Sequence, residues 1–133
     1  RYDGAGFLDD AYDSWKANPK SLVVAMAGSH RAGLLQLDPR RGQEAHEAYI
    51  AFLYLAPEQR DNGVGIQLIG KAVSLSRPLD CDKLGLVCSQ QNAHALGFYQ
   101  KYGFHTIGTE AGAYGTLYRM QKDIGYTVRE DLM

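Results

Sequence analysis

The stretch Leu53-Tyr54-Leu55-Ala56-Pro57-Glu58-Gln59-Arg60-Asp61-Asn62-Gly63-Val64-Gly65, running straight into Ile66-Gln67-Leu68-Ile69-Gly70-Lys71-Ala72-Val73, reads as a strand, a tight glycine loop and a helix. That succession builds an anion cradle. The first N–H groups of a helix have no intrahelical acceptor and stand at the positive end of the helix dipole, so an anion is stabilised there without a cationic side chain. Gly63 and Gly65 would let the backbone approach such a ligand closely, because no Cβ stands in the way. The dipole alone contributes only about 0.3–1 kcal/mol, so several N–H hydrogen bonds must supply most of the binding. The loop therefore predicts a pyrophosphate ligand.

Two common pyrophosphate sites are excluded. A nucleotide-hydrolysing P-loop needs Lys-Ser or Lys-Thr after its second glycine, and neither follows Gly65. A dinucleotide fold needs G-x-G-x-x-G after the first strand, whereas Gly63, Gly65 and Gly70 lack that spacing and the chain before them reads as an antiparallel meander.

Downstream, Asn92-Ala93-His94-Ala95-Leu96-Gly97-Phe98-Tyr99-Gln100-Lys101-Tyr102-Gly103-Phe104 reads as a second helix, with Asn92 as N-cap and Gly103 as the left-handed residue that closes it. With this segment the chain resembles the GNAT superfamily of acetyl-CoA-dependent N-acetyltransferases. Arg60-x-x-Gly63-x-Gly65 is similar to that family's Q/R-x-x-G-x-G/A loop, and Asn92-x-x-Ala95-x-x-Phe98-Tyr99-x-x-x-Gly103-Phe104 to its second cofactor motif. Order and spacing both fit, and the resemblance covers roughly Ser21 to Ile124. It implies an α/β fold with a mixed sheet: an antiparallel meander followed by a strand–loop–helix–strand cofactor core. Against the usual family layout, the first strand and helix are expected to be absent or shortened.

The resemblance also implies the parts of a site. The pyrophosphate of acetyl-CoA would lie on the loop Arg60, Asp61, Asn62, Gly63, Val64 and Gly65. The pantetheine arm would pair with backbone near Leu53 and Leu55, with Asn92 and Phe98 on its far side. Tyr99 matches the position that commonly acts as general acid. Its phenol, with a pKa of about 10 against roughly 8.5 for a thiol, would protonate the departing thiolate at a cost of about 2 kcal/mol unless the site helps. The family's strand glutamate falls at Tyr49, a departure from the pattern. Glu47, two residues earlier and on the same face of a regular strand, is the candidate base, while His46 points the other way.

Composition narrows the rest. With 133 residues the chain is read as one domain, 1–133. Fourteen basic and fifteen acidic side chains give a formal net charge of −1, which offers no general attraction to nucleic acid or an anionic membrane. Arg40-Arg41 reads as a solvated turn. No apolar run reaches the roughly eighteen residues of a membrane span. Cys81 and Cys88 form no disulfide framework or zinc spacing and read as free thiols, Cys88 as a core thiol rather than a nucleophile. Four scattered histidines suggest no metal site. A cytoplasmic protein is expected.

Along the chain, Phe7, Leu8, Ala11, Tyr12 and Trp15 give Gly6 to Asn18 a helical apolar face. Leu22–Ala27 and Gly33–Leu37 suggest a hairpin, Asp38–Gly42 a turn, and Ala48–Leu55 a long strand. The helix from Val64 to Leu75 puts Ile66, Ile69 and Val73 on one face before Arg77-Pro78 ends it. Leu84–Cys88 reads as a strand parallel to Ala48–Leu55, followed after the second helix by His105–Glu110, a loop at Ala111–Gly115 and a last strand Thr116–Lys122. Together these readings point to transfer of an acetyl group to a primary amine of a small molecule or protein. The alternative is an acyl-CoA-binding regulatory domain that has lost turnover, suggested by Tyr49 and the short N-terminus. Acceptor selection is assigned to loops around Ser29–Arg31 and Ala111–Gly115, with Tyr114 lining the pocket or covering a sheet edge. A homodimer through Thr116 to Met133 is a further expectation.

Overall fold

The computed structural model describes residues 22–60 and 63–125. The expected helix from Gly6 to Asn18, the loop residues Asp61 and Asn62, and the tail after Gly125 lie outside the described residues. Strands β1 (Leu22–Ala27), β2 (His30–Gly42) and β3 (Glu47–Leu55) form the antiparallel meander. Helix α1 (Val64–Ser76) crosses to β4 (Lys83–Ser89), which pairs parallel with β3. Helix α2 (Ala93–Lys101) then leads to the hairpin of β5 (His105–Gly112) and β6 (Gly115–Asp123). Among the described residues the strand order is β1-β2-β3-β4-β6-β5 in a mixed sheet.

Alternation along the strands sorts the faces. Leu35, Leu37, Ala48, Ile50, Leu84, Leu86, Cys88 and Met120 join one core cluster with Val64, Leu68, Ile69 and Ala72 of α1. Each fully buried leucine in it contributes about 1.5–3 kcal/mol. The opposite face carries the smaller cluster around Leu34 and Ala56, with Leu22, Val24 and Tyr54 packed on it.

Three local readings change. The buried stripe of α1 is Val64, Leu68, Ile69, Ala72 and Ser76, while Ile66 is 48 % exposed, because the helix turns its 64/68/72/76 row to the sheet. The turn expected at Asp38–Gly42 is extended strand with shifted pairing, an irregularity that accommodates Pro39, which has no N–H to give the ladder. The chain reverses instead through a single 3₁₀ turn at Gln43–Ala45, closed by His46 in the left-handed region (φ 57°). The loop expected at Ala111–Gly115 shrinks to the tip Ala113-Tyr114. Tyr114 there is fully exposed and covers no edge.

Candidate functional site

The pairing of β3 with β4 runs only from Glu47↔Lys83 to Tyr49↔Gly85. Beyond it the strands part, and the orientation of the β3 peptide groups becomes decisive. Ala56 N–H donates to the Ala32 carbonyl at 2.9 Å, and in the same register Tyr54 faces Leu34 and Phe52 faces Gln36. Antiparallel pairing sends the peptide groups of alternate residues to the partner strand, so Tyr54 and Phe52 direct theirs to β2 while Leu53 and Leu55 turn theirs to the open edge.

That edge borders a cleft of about 790 Å³ lined by Leu53, Leu55, Arg60, Gly63, Gly65, Asn92, Phe98 and Tyr99, together with His94 and Tyr102. The expected binding residues among those described thus converge, except that the Val64 side chain is buried in the core and can offer only its backbone. Gly63 caps α1 at φ +80°, a conformation glycine adopts without strain. Among the described residues no side chain caps this helix, and its first bond runs from Gln67 N–H to the Gly63 carbonyl at 3.3 Å. The N–H groups of Val64, Gly65 and Ile66 therefore have no intrahelical acceptor.

The two glycines play different parts. A Cβ on Gly63 would meet no atom of the described residues within 4 Å. A Cβ on Gly65 would come within 2.6 Å of the Phe98 ring, so the missing side chain there is filled by α2 rather than left for a ligand.

Helix α2 presents its aromatics to this wedge. Asn92 Oδ1 accepts from Ala95 N–H at 3.1 Å, which spends the amide oxygen on capping and leaves its NH₂ at the cleft. Lys122 Nζ donates to the Tyr102 carbonyl at 2.8 Å at the other end. The Phe98 ring packs edge-to-face on Tyr99 and Tyr102, with centroids 5.4 and 4.9 Å away, and Tyr99 packs in the same way on Phe104. Burial pushes the Tyr99 phenol up to about 12, with a smaller contribution from Cys88. Its hydroxyl has no hydrogen-bond partner among the described residues, and no buried side-chain oxygen among them is left unpaired, so the hydroxyl opens on the cleft.

Glu47 is not in this cleft. It shares the opposite face of the sheet with Tyr49, Gln121 and Arg119, as the pairings Tyr49↔Gly85↔Gln121 and Val87↔Arg119 require. These residues, with Arg41 and Gly42, line a separate pocket of about 210 Å³. Glu47 is 8 % exposed and accepts a 2.8 Å hydrogen bond from Gln121 Nε2. Its carboxylate lies against the Cα of Gly85, and its Cβ lies against Gly42, so neither position has room for a side chain. Arg41 leaves the solvated turn expected for it and lies over the Tyr49 ring, its guanidinium carbon 3.9 Å from the centroid. Burial raises the Tyr49 phenol, against a smaller opposing effect of Arg41. His46 is exposed and faces Asp80.

Gln121 and Arg119 were missed from sequence. Nothing local marks them, because their place beside Glu47 depends on the register of β6 against β4.

Comparison with known proteins shows the family and the fold. The model of the acetyltransferase (GNAT) family matches residues 2–104. The chain is 27 % identical over 111 residues to the chloroplastic GCN5-related N-acetyltransferase 4 of Arabidopsis thaliana, covering 76 % of this chain and 38 % of that one. It is 32 % identical over 88 residues to human N-alpha-acetyltransferase 30, covering 65 % of this chain and 24 % of that protein. The chain thus spans well under half the length of these curated relatives. Among solved structures, an aminoglycoside 6'-N-acetyltransferase complexed with coenzyme A superposes with a TM-score of 0.72 at 18 % identity, covering 85 % of this chain and 78 % of that chain.

Proposed function

Since the chain belongs to the acetyltransferase (GNAT) family, we propose that it transfers an acetyl group from acetyl-CoA directly to a primary amine of a small molecule or a protein. One observation carries this reading: a helix start and a strand edge, both without backbone partners among the described residues, border the same cleft. The N–H groups of Val64, Gly65 and Ile66 suit a pyrophosphate, with Arg60 as a nearby cation, and the turned-out peptide groups of Leu53 and Leu55 suit the amides of a pantetheine arm. Phe98 and Asn92 would hold the arm from the side of α2.

When bound, acetyl-CoA supplies an activated acetyl group as a thioester, whose transfer to an amine releases a thiol. Tyr99 holds a proton at Oη for the leaving sulfur. With its pKa at about 12, the phenol stays protonated throughout the neutral range, but full transfer to a thiolate of pKa about 8.5 is uphill by about 5 kcal/mol. Donation is therefore partial and concerted with C–S cleavage, with the phenol acting as a hydrogen-bond donor to developing negative charge. Glu47, on the other face and just below the point where β3 and β4 part, takes the proton lost by the amine, directly or through one water. Gln121 orients that carboxylate, so it is a positioning residue.

The whole chain, 1–133, acts as one such domain, and a cytoplasmic location is consistent with both cysteines being free. No helix among the described residues is long and apolar enough to cross a membrane. The binding-only alternative gains no support from relatives named as N-acetyltransferases. A homodimer through Thr116 to Met133 stays part of the proposal, although both edges of β6 itself are paired, with β4 and β5.

Calorimetric titration with acetyl-CoA and CoA tests the proposal. Saturable binding by the wild-type chain, abolished by Gly63→Glu, is expected. A folded wild-type chain that binds neither ligand would refute it.

A further inference from the structure

The pocket on the Glu47 face has a charge pattern that acetyl transfer alone leaves unused. Its inner wall is acidic: Glu47 is almost fully buried, and Gln121, which donates to it, is neutral. Its mouth is basic. Arg41 and Arg119, each with a side chain 48 % exposed, flank Glu110, whose Oε1 is 3.9 Å from Arg41 Nη2 and 3.6 Å from Arg119 Nε. The Glu110 carboxylate lies between the two guanidiniums, and the Asp38 carboxylate accepts from the Arg41 backbone N–H at 3.3 Å, which leaves the guanidinium N–H groups to the mouth. Neither contact reaches the roughly 2.7–2.9 Å of a full charge-assisted hydrogen bond, so donors of both forks stay available. Stacking on Tyr49 holds Arg41 in place while leaving its in-plane N–H groups free to donate.

A cation-binding wall and an anion-binding mouth within about 210 Å³ suit a small zwitterion. The volume lies below the roughly 300–1,000 Å³ of pockets for drug-sized ligands. We propose that this pocket takes the acceptor and that the acceptor is a small free amino acid, its amino group against Glu47 and its carboxylate on the Arg41–Arg119 fork. The assignment of the pocket to an acceptor rests on the acetyl-transfer reading. A polyamine or aminoglycoside would press a second cation against two guanidiniums, and a peptide terminus would offer them only a neutral amide.

The test is calorimetric titration of the full chain, with CoA present, using glycine, alanine and serine, their carboxamides, and spermidine. At least one free amino acid is expected to saturate, with its amide about 10- to 100-fold weaker, the value of a charge-assisted contact, and no saturable binding of spermidine. Arg119→Gln should weaken the amino acid by a similar factor, and Arg119→Lys by less, since it keeps the charge and loses the fork. Arg119 is half exposed, so neither variant threatens the fold. Amides binding as tightly as acids, an Arg119→Gln chain that binds the amino acid normally, or no binding by any amino acid would overturn the inference. The CoA titration is read separately: its failure sinks the transfer reading, whereas failure of every amino acid with CoA bound sinks this inference alone.

Discussion

The two faces of the sheet around the β3–β4 split differ in how they are built. Among the described residues the cleft face is made of backbone: a helix start without a side-chain cap, an unpaired strand edge and a glycine at positive φ, closed by a wall of aromatics from α2. The opposite face is made of side chains from four strands, β2, β3, β5 and β6, that meet only through sheet register. A backbone site serves a ligand shared by many relatives, because it depends on a loop and a cap rather than on particular side chains. A side-chain site can be rewritten one residue at a time, which is what choice of acceptor requires.

Perturbing each face separately should break this comparison or sharpen it. Tyr99→Phe removes the proposed proton donor while keeping the edge-to-face packing on Phe98 and Phe104. Steady-state kinetics should show kcat lower by about 10²- to 10⁴-fold with acetyl-CoA affinity nearly unchanged. A wild-type kcat in this variant would remove Tyr99 from the chemistry.

High pH comes next. Burial raises the Tyr99 phenol to about 12 in the folded chain against about 10 when unfolded. The unfolded state therefore loses its proton first as pH rises, and the stability present below pH 10 falls between pH 10 and 12, by about 3 kcal/mol at most. Denaturant midpoints measured across that range should drop for the wild type and flatten in Tyr99→Phe.

On the other face, Gly85→Ala drives a methyl group into the space of the Glu47 carboxylate. We expect about 1–3 kcal/mol of destabilisation by urea unfolding and a fall in kcat, with CoA still bound. Loss of CoA binding instead would mean that the two faces are not independent. The smallest effect belongs to Gln121→Leu, which leaves Glu47 in place without its donor. A roughly tenfold fall in kcat without a change in CoA affinity is expected, whereas unchanged kinetics would reduce Gln121 to packing.

Much of the cleft face was legible in the sequence. Gly63 at a helix start, Asn92 as an N-cap and the parallel step across α1 are local signals, because cap chemistry and chain reversal act over a few residues. A second reason for glycine at 65 was hidden from the sequence, since only tertiary packing reveals that Phe98 occupies the space of its Cβ. Arg41 looked like a solvated turn because Pro39 and Gly42 suggested one, yet β2 runs on through an irregular pairing and brings it to Tyr49.

By itself, the sequence determined the order of strands and helices, the apolar alternation of the sheet and the glycine loop before α1, since propensity, caps and period operate within a single element. Only the tertiary structure decided which side chains meet across the sheet: Glu47 with Gln121, Arg41 with Tyr49, and Glu110 between two arginines. Those meetings depend on strand register and on where β3 and β4 part, and a register is settled by the packing of the whole sheet rather than by any segment of it.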